Sequence, residues 1–317
     1  MKKQAFNPYL PSWEYIPDGE PYVFGDRVYV YGSHDYFNGY VFCMGDYVCW
    51  SAPVDDLGNW RYEGVIYPKT ADPLNPEGKM CLYAPDVTVG PDGRYYLYYV
   101  LDKVSVVSVA VCDTPAGKYE FYGYVHYEDG TRLGEKEGDE PQFDPGVLTE
   151  GDVTYLYTGA CGKGDKSRTG AMATVLGADM LTIREAPVFV APGCEYGAGT
   201  GFEGHEFFEA SSIRKVGDTY YFVYSSILST NYVMPPARIL LRILSMAELL
   251  SAIVICTSIP TSRQICQQLT VPIITEVLCR SERTGTFFIT GIPIIPGTAD
   301  RDVLKSCRLC RTAVFHR

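Results

Sequence analysis

Along the first 226 residues, polar and apolar positions alternate in short bursts, and four of these bursts repeat one design. Each begins with an acidic residue at an apolar run of strand length, passes through a Gly/Asp turn and enters a second, tyrosine-rich run. They read PDGEPYVFGDRVYVYGS from Pro17, APDVTVGPDGRYYLYYV from Ala84, FDPGVLTEGDVTYLYTG from Phe143 and FEASSIRKVGDTYYFVYSS from Phe208. Gly-Asp or Asp-Gly flanked by alternating β-branched and aromatic residues predicts a hairpin at each site. The leading acids Asp18, Asp86, Asp144 and Glu209 are spaced by 68, 58 and 65 residues. A hairpin recurring at a near-constant interval predicts an array of like sheets rather than one continuous sheet. Further strand-like runs at Val104 to Val111, Phe121 to Tyr127 and Ala171 to Val175 supply enough strands for four in each sheet. The expected fold is all-β, with four-stranded sheets set radially as in a β-propeller. The first strand of each would line a central channel, so that the leading acids converge there.

Length and charge narrow this picture. A chain of 317 residues has room for one large all-β domain or two smaller ones. Its net charge of −11, with no basic stripe before Thr230, argues against nucleic acid or an anionic membrane surface as a partner. The N-terminal MKKQAFNPYLPSWEY has two lysines but no apolar stretch behind them, so no secretion signal is read there. Eleven cysteines without regular spacing fit reduced thiols better than a disulfide framework, and a cytoplasmic location is expected. Cys43 and Cys49 form the single close pair before Thr230, and without nearby His or Cys partners they predict no zinc site.

Composition changes sharply near Thr230. Up to that residue 17 basic residues stand against 33 acidic ones, and beyond it 10 stand against 5, a net −16 followed by +5. All three tryptophans and 25 of the 26 tyrosines precede the break. One reading of the tail is a helical second domain, since ARILLRILSMAELLSAIVIC is densely apolar, although Arg238, Arg242 and Glu248 interrupt it too often for a membrane span. The other reading is translation out of frame. Starting at the third base of Asn231, the permitted codons include Leu-Cys-Tyr-Ala-Pro-Ser. With the same offset, Pro272 to Glu276 allows Asn-Asn-His-Gly, and Thr284 to Asp302 allows a segment containing Tyr-His-Arg. The expected organisation is therefore a propeller of about three and a half blades over residues 1–230. Residues 231–317 are then an aberrant tail standing where the last blade belongs.

Glu209 carries the clearest chemical signal. It lies between the bulky Phe207 and Phe208 and the small Ala210, Ser211 and Ser212, and burial beside aromatic rings disfavours a charged carboxylate. A proton-donating role follows, with a solvated glutamate at a strand start as the plain alternative. Asp18 before Gly19 and Asp86 after Pro85 also have plain readings as turn residues. Asp144, in Phe-Asp-Pro-Gly, reads better as an Asp-Pro turn or a supporting contact than as a catalytic group. Tyr83, Phe143, Phe207 and Phe208 adjoin the leading acids. Of these, Phe208 and Tyr83 are the candidate platforms for a sugar ring, while most tyrosines are expected in blade packing. His34, beside Asp35 at the end of the first hairpin, and His205 complete the candidate substrate-binding residues.

Taken together, these segments make Asn7 to Ser226 resemble glycoside hydrolase family 43. The resemblance implies a five-bladed β-propeller that cleaves terminal arabinofuranosyl or xylosyl residues from oligosaccharides with inversion. Asp18 in Ile-Pro-Asp-Gly-Glu-Pro corresponds to the family's general base, and Glu209 in Phe-Phe-Glu-Ala-Ser-Ser to its general acid. Asp86 in Tyr-Ala-Pro-Asp-Val corresponds to the third acid, which orients the proton donor and tunes its pKa. Asn-Asn-His-Gly and Tyr-His-Arg belong to the family's fifth blade and are missing from the sequence as written. The resemblance implies no required cofactor, with calcium at the channel centre in intact members. Inversion needs one protonated and one ionised carboxyl about 6.5–9.5 Å apart. Asp18 is then the ionised partner, Glu209 the protonated one, and Asp86 a like charge that keeps it so. A non-catalytic sugar-binding or inert propeller remnant is the alternative, because a ring lacking its last sheet exposes strand edges.

Overall fold

The structure, a computed structural model, describes residues 8–216, 219–226, 237–243 and 256–258. Each of the four repeats forms the predicted hairpin as the inner half of a four-stranded antiparallel sheet. The first sheet comprises β1 (Glu20–Phe24), β2 (Arg27–Gly32), β3 (Tyr47–Pro53) and β4 (Arg61–Tyr67). The second comprises β5 (Asp86–Val89), β6 (Tyr95–Tyr99), β7 (Ser108–Cys112) and β8 (Glu120–Tyr124). The third comprises β9 (Gly146–Glu150), β10 (Val153–Thr158), β11 (Gly170–Leu176) and β12 (Ile183–Pro192). The fourth comprises β13 (Phe207–Val216), β14 (Thr219–Ser226), β15 (Ala237–Ile243) and β16 (Cys256–Ser258). In every sheet the strands follow chain order, as in a propeller blade. Among the described residues no helix is long and apolar enough to cross a membrane.

The tyrosine-rich second strands explain why the sheets stack. Side chains alternate between the two faces of a strand, and here both faces are buried. Along β6, Leu97 and Tyr99 pack with Tyr31, Tyr47 and Tyr67 in a core between the first two sheets. Tyr96 and Tyr98 turn the other way, to Val147, Leu156 and Leu176 of the third sheet. β10 repeats the division: Leu156 joins that core, while Tyr157 faces Phe207, Phe222 and Tyr224 of the fourth sheet. Each fully buried side chain of this size stabilises the stack by about 1.5–3 kcal/mol. Edge strands β1, β5, β9 and β13 lie innermost, and hydrogen bonds between their residues link all four sheets.

The expected strands shift by a few residues: Val104 to Val111 becomes β7 at Ser108–Cys112, and Phe121 to Tyr127 becomes β8 at Glu120–Tyr124. A larger difference lies beyond Thr230. Ala237–Ile243, at the start of the run that also reads as a helix, is strand β15 and pairs with β14 over its whole length. A short apolar run cannot be assigned by periodicity alone, and the open edge of β14 supplies hydrogen-bond partners that favour the extended form. The fourth sheet thus straddles the composition break at Thr230. The segments that allow Asn-Asn-His-Gly and Tyr-His-Arg in the other frame lie outside the described residues.

Candidate active site

Hairpin register decides which acids meet. Glu20 of β1 pairs with Tyr31, Asp86 of β5 with Tyr98, and Gly146 of β9 with Tyr157, so these three occupy one level of the channel. Asp18 and Asp144 each stand two residues earlier, one pleat nearer the mouth, and Ala84 holds that place in the second sheet. The repeat aligned on its leading acids is therefore out of step in the second sheet. Asp86 lies one level too deep to join the others.

At the mouth the carboxyls of Asp18, Asp144 and Glu209 come together, each from a different sheet. Burial first, then the charge on Asp18, pushes the Glu209 carboxyl up to about 7. Burial, followed by the charges on Glu209 and Asp18, also raises Asp144 well above the ordinary range, while the Ala210 amide pulls the other way. That amide donates to Asp144 Oδ2 at 3.1 Å, and a donor of this kind favours the anion on Asp144. The carboxyls titrate as a coupled set in which Glu209 and Asp144 are both raised, so the cluster holds a proton near neutral pH.

Local backbone geometry creates this meeting. In β13 the register slips between Phe207 and Ser212, and Ala210 inside that bulge has φ +62°. A bulge re-aims side chains; here it lets Phe207 fill the core while Glu209 reaches the mouth. Asp144, just before Pro145, also has a positive φ of 41°. Two non-glycine residues in this region thus place backbone strain beside the candidate carboxyl cluster. Gly146 lets the third and fourth sheets approach, since a Cβ there would lie 2.6 Å from the Ser211 carbonyl oxygen.

Asp18 accepts a hydrogen bond from the buried Ser33 hydroxyl at the end of the first hairpin. Cys43 adds a thiol beside Ser33, Asp18 and Asp144; burial, then the charge on Asp18, holds it protonated. Its own φ is +58°, and its amide donates to Asp35 Oδ1 at 2.6 Å. Ser33, which directly follows Tyr-Gly in the first repeat, was not among the expected site residues, and Cys43 was weighed only for zinc. The rings proposed as platforms divide. Tyr83 sits at the mouth, edge-on to Phe143 at 5.3 Å between centroids, and burial raises its hydroxyl to about 12 with a small contribution from Asp144. Phe208 is half-buried on β13, where its carbonyl accepts from the Cys161 amide at 2.7 Å.

Both histidines have mainly local surroundings. His34 faces Glu14 Oε1 at 2.8 Å through Nε2 and the Asp46 carbonyl at 3.2 Å through Nδ1, so both ring nitrogens already have partners in the protein. His205 Nδ1 is buried without a hydrogen-bond partner among the described residues, and the Tyr224 hydroxyl binds the His205 carbonyl at 2.8 Å.

Asp86 belongs to the deeper level and is not the third acid of the mouth. It is 1% exposed and accepts from the Tyr22 hydroxyl, from its neighbour Val87 N–H at 2.8 Å and from Val147 N–H at 2.8 Å. Burial raises its carboxyl, and the Arg214 guanidinium, 3.9 Å away, opposes that rise. Arg214 also donates to Glu20, which accepts from Ser212 Oγ at 3.1 Å. Calcium needs about 6–8 oxygen ligands, and among the described residues no group of three or more His, Cys, Asp or Glu side chains could hold a metal. The two carboxylates at this level are turned to a guanidinium, so the described residues do not fit calcium.

The comparisons with known proteins agree with this architecture. A "Xylosidase/arabinosidase" of Thermoclostridium stercorarium is 79% identical over 228 residues, covering 72% of this chain and 48% of that protein. The chain thus spans about half the length of that relative. Among solved structures, an α-L-arabinofuranosidase from Clostridium thermocellum superposes with a TM-score of 0.52 at 24% identity, covering 75% of this chain and 72% of the other. A β-xylosidase/α-arabinofuranosidase from a compost microbial metagenome, described in complex with xylotriose and in calcium-free form, gives 0.52 at 24% identity, with 72% and 74% covered. At these identities the two structures speak for the fold alone. The family model "Glycosyl hydrolases family 43" matches residues 15–235, and the chain belongs to that family.

Proposed function

We propose that the acid cluster hydrolyses terminal α-L-arabinofuranosyl or β-D-xylosyl residues of oligosaccharides with inversion. The observation that carries this reading is a carboxyl raised to about 7 on Glu209 at the point where Asp18 and Asp144 converge with it. Glu209 gives its proton to the glycosidic oxygen as the C–O bond breaks. Asp18, oriented by Ser33, takes a proton from the water that attacks the opposite face of the sugar. Asp144 replaces Asp86 as the third acid: buried against Glu209 and held by the Ala210 amide, it shares the donor's titration and fixes its position. Tyr83 and Phe143 offer apolar walls for the sugar at the same mouth. The name of the Thermoclostridium stercorarium relative supports both sugar classes.

The test is nitrophenol release from nitrophenyl α-L-arabinofuranoside and nitrophenyl β-D-xyloside, by the chain as written and by one restored to the alternative frame after residue 230. The restored chain is expected to release nitrophenol, with the first product of opposite anomeric configuration, and Glu209→Ala is expected to abolish release. Sugar binding without release by either chain would favour the non-catalytic remnant.

A further inference from the structure

Below the acid cluster, one positive side chain touches the innermost strands of the propeller. Arg214, on β13, is 9% exposed. Its guanidinium donates to Glu20 of β1, to the Ile213 carbonyl at 2.8 Å, and faces Asp86 Oδ2 of β5 at 3.9 Å. The Tyr22 ring covers one face, 4.2 Å from the guanidinium carbon to the ring centroid. The same Asp86 binds the Val147 amide of β9. Strands from all four sheets therefore end in one buried network, in which a single cation stands between two carboxylates.

A buried charge is tolerated only when it is paired and hydrogen-bonded. Glu20 and Asp86 would repel one another without a cation between them, and a divalent ion would satisfy both. Here the guanidinium already fills that place, with planar N–H donors that suit carboxylates and a face that suits an aromatic ring. We propose that Arg214 is the resident cation of the channel: it pins the first sheet to the fourth through Glu20, balances Glu20 and Asp86, and leaves the axis without affinity for calcium. The inference stands apart from the hydrolytic reading, because its readouts do not involve catalysis.

The test uses the full chain, with calcium chloride and terbium chloride as probes. Wild type should show no saturable terbium luminescence below about 1 mM, and its Tm in 5 mM calcium should match that in EDTA to within about 1 °C. Arg214→Met removes the guanidinium and keeps the carboxylates; it should gain at least about tenfold in terbium affinity and a calcium-dependent Tm rise of about 3 °C or more. Arg214→Lys keeps the charge and should remain indifferent to calcium, so it and wild type decide the matter if the Met variant does not fold. Sub-millimolar calcium binding by wild type or Arg214→Lys overturns the proposal, as does a folded Arg214→Met with no calcium response.

Discussion

Removing the titrating proton from Glu209 tests the site without relying on turnover. A glutamate in water titrates near 4.3, and in the fold Glu209 is raised to about 7. At about 1.4 kcal/mol per pH unit, the folded protein prefers the protonated form by about 4 kcal/mol. The sign follows from proton counting. Between the two pKa values the native state binds a proton that the unfolded chain has released, so stability falls as pH rises through this window. The contribution is fully present below about 4.3 and lost above about 7. Glu209→Gln keeps the size and hydrogen-bonding capacity of the side chain but cannot ionise. Urea unfolding at intervals from pH 5 to pH 9 should show wild type losing about 2–3 kcal/mol more than the variant across that range. Parallel stability curves for the two proteins would refute the buried, like-charged setting assigned to Glu209, and with it the general acid.

Four further substitutions separate the levels of the channel. Asp144→Asn removes the carboxyl whose titration is coupled to that of Glu209, so in an active chain the alkaline limb of kcat/KM should shift with about a 10²-fold loss of rate; a limb that stays in place argues against Asp144 as the third acid. Asp86→Asn should leave that limb unmoved and instead lower the Tm, because it disturbs the Arg214 network at a cost of about 3 kcal/mol. Ala210→Gly relieves a left-handed residue and should stabilise the fold by about 0.5–1 kcal/mol in urea unfolding, whereas Gly146→Ala forces a Cβ to within 2.6 Å of the Ser211 carbonyl and should destabilise it by about 2 kcal/mol or more.

The four hairpins were legible because each writes its strand period and turn residues locally, from Glu20–Phe24 to Thr219–Ser226. Glu209 was legible for a related reason, since aromatic and small neighbours announce burial. Asp144 joins Glu209 where Asp86 was expected because the distance from acid to turn is not constant. β5 and β6 are joined by a longer loop than β1 and β2, and the first acid in the text need not share a channel level with its counterparts. Asp144 looked like a turn residue, and in backbone terms it is one; its φ of 41° is what delivers the side chain to Glu209. The Ala210 bulge, the Ser33 contact and the Arg214 network left no sequence trace, because each depends on strands brought together from distant repeats.

The close approach of the third and fourth sheets at Gly146 has a practical corollary. The proposed donor, Glu209, and its proposed tuning partner, Asp144, ride on separate blades whose spacing is set by backbone lying on backbone. A slight loosening of that seam would separate Asp144 from Glu209 while every hairpin stayed intact. In an active chain, heating should therefore stop the proposed hydrolysis before any spectroscopic signal of melting appears, making the rate a gauge of how tightly the ring is drawn.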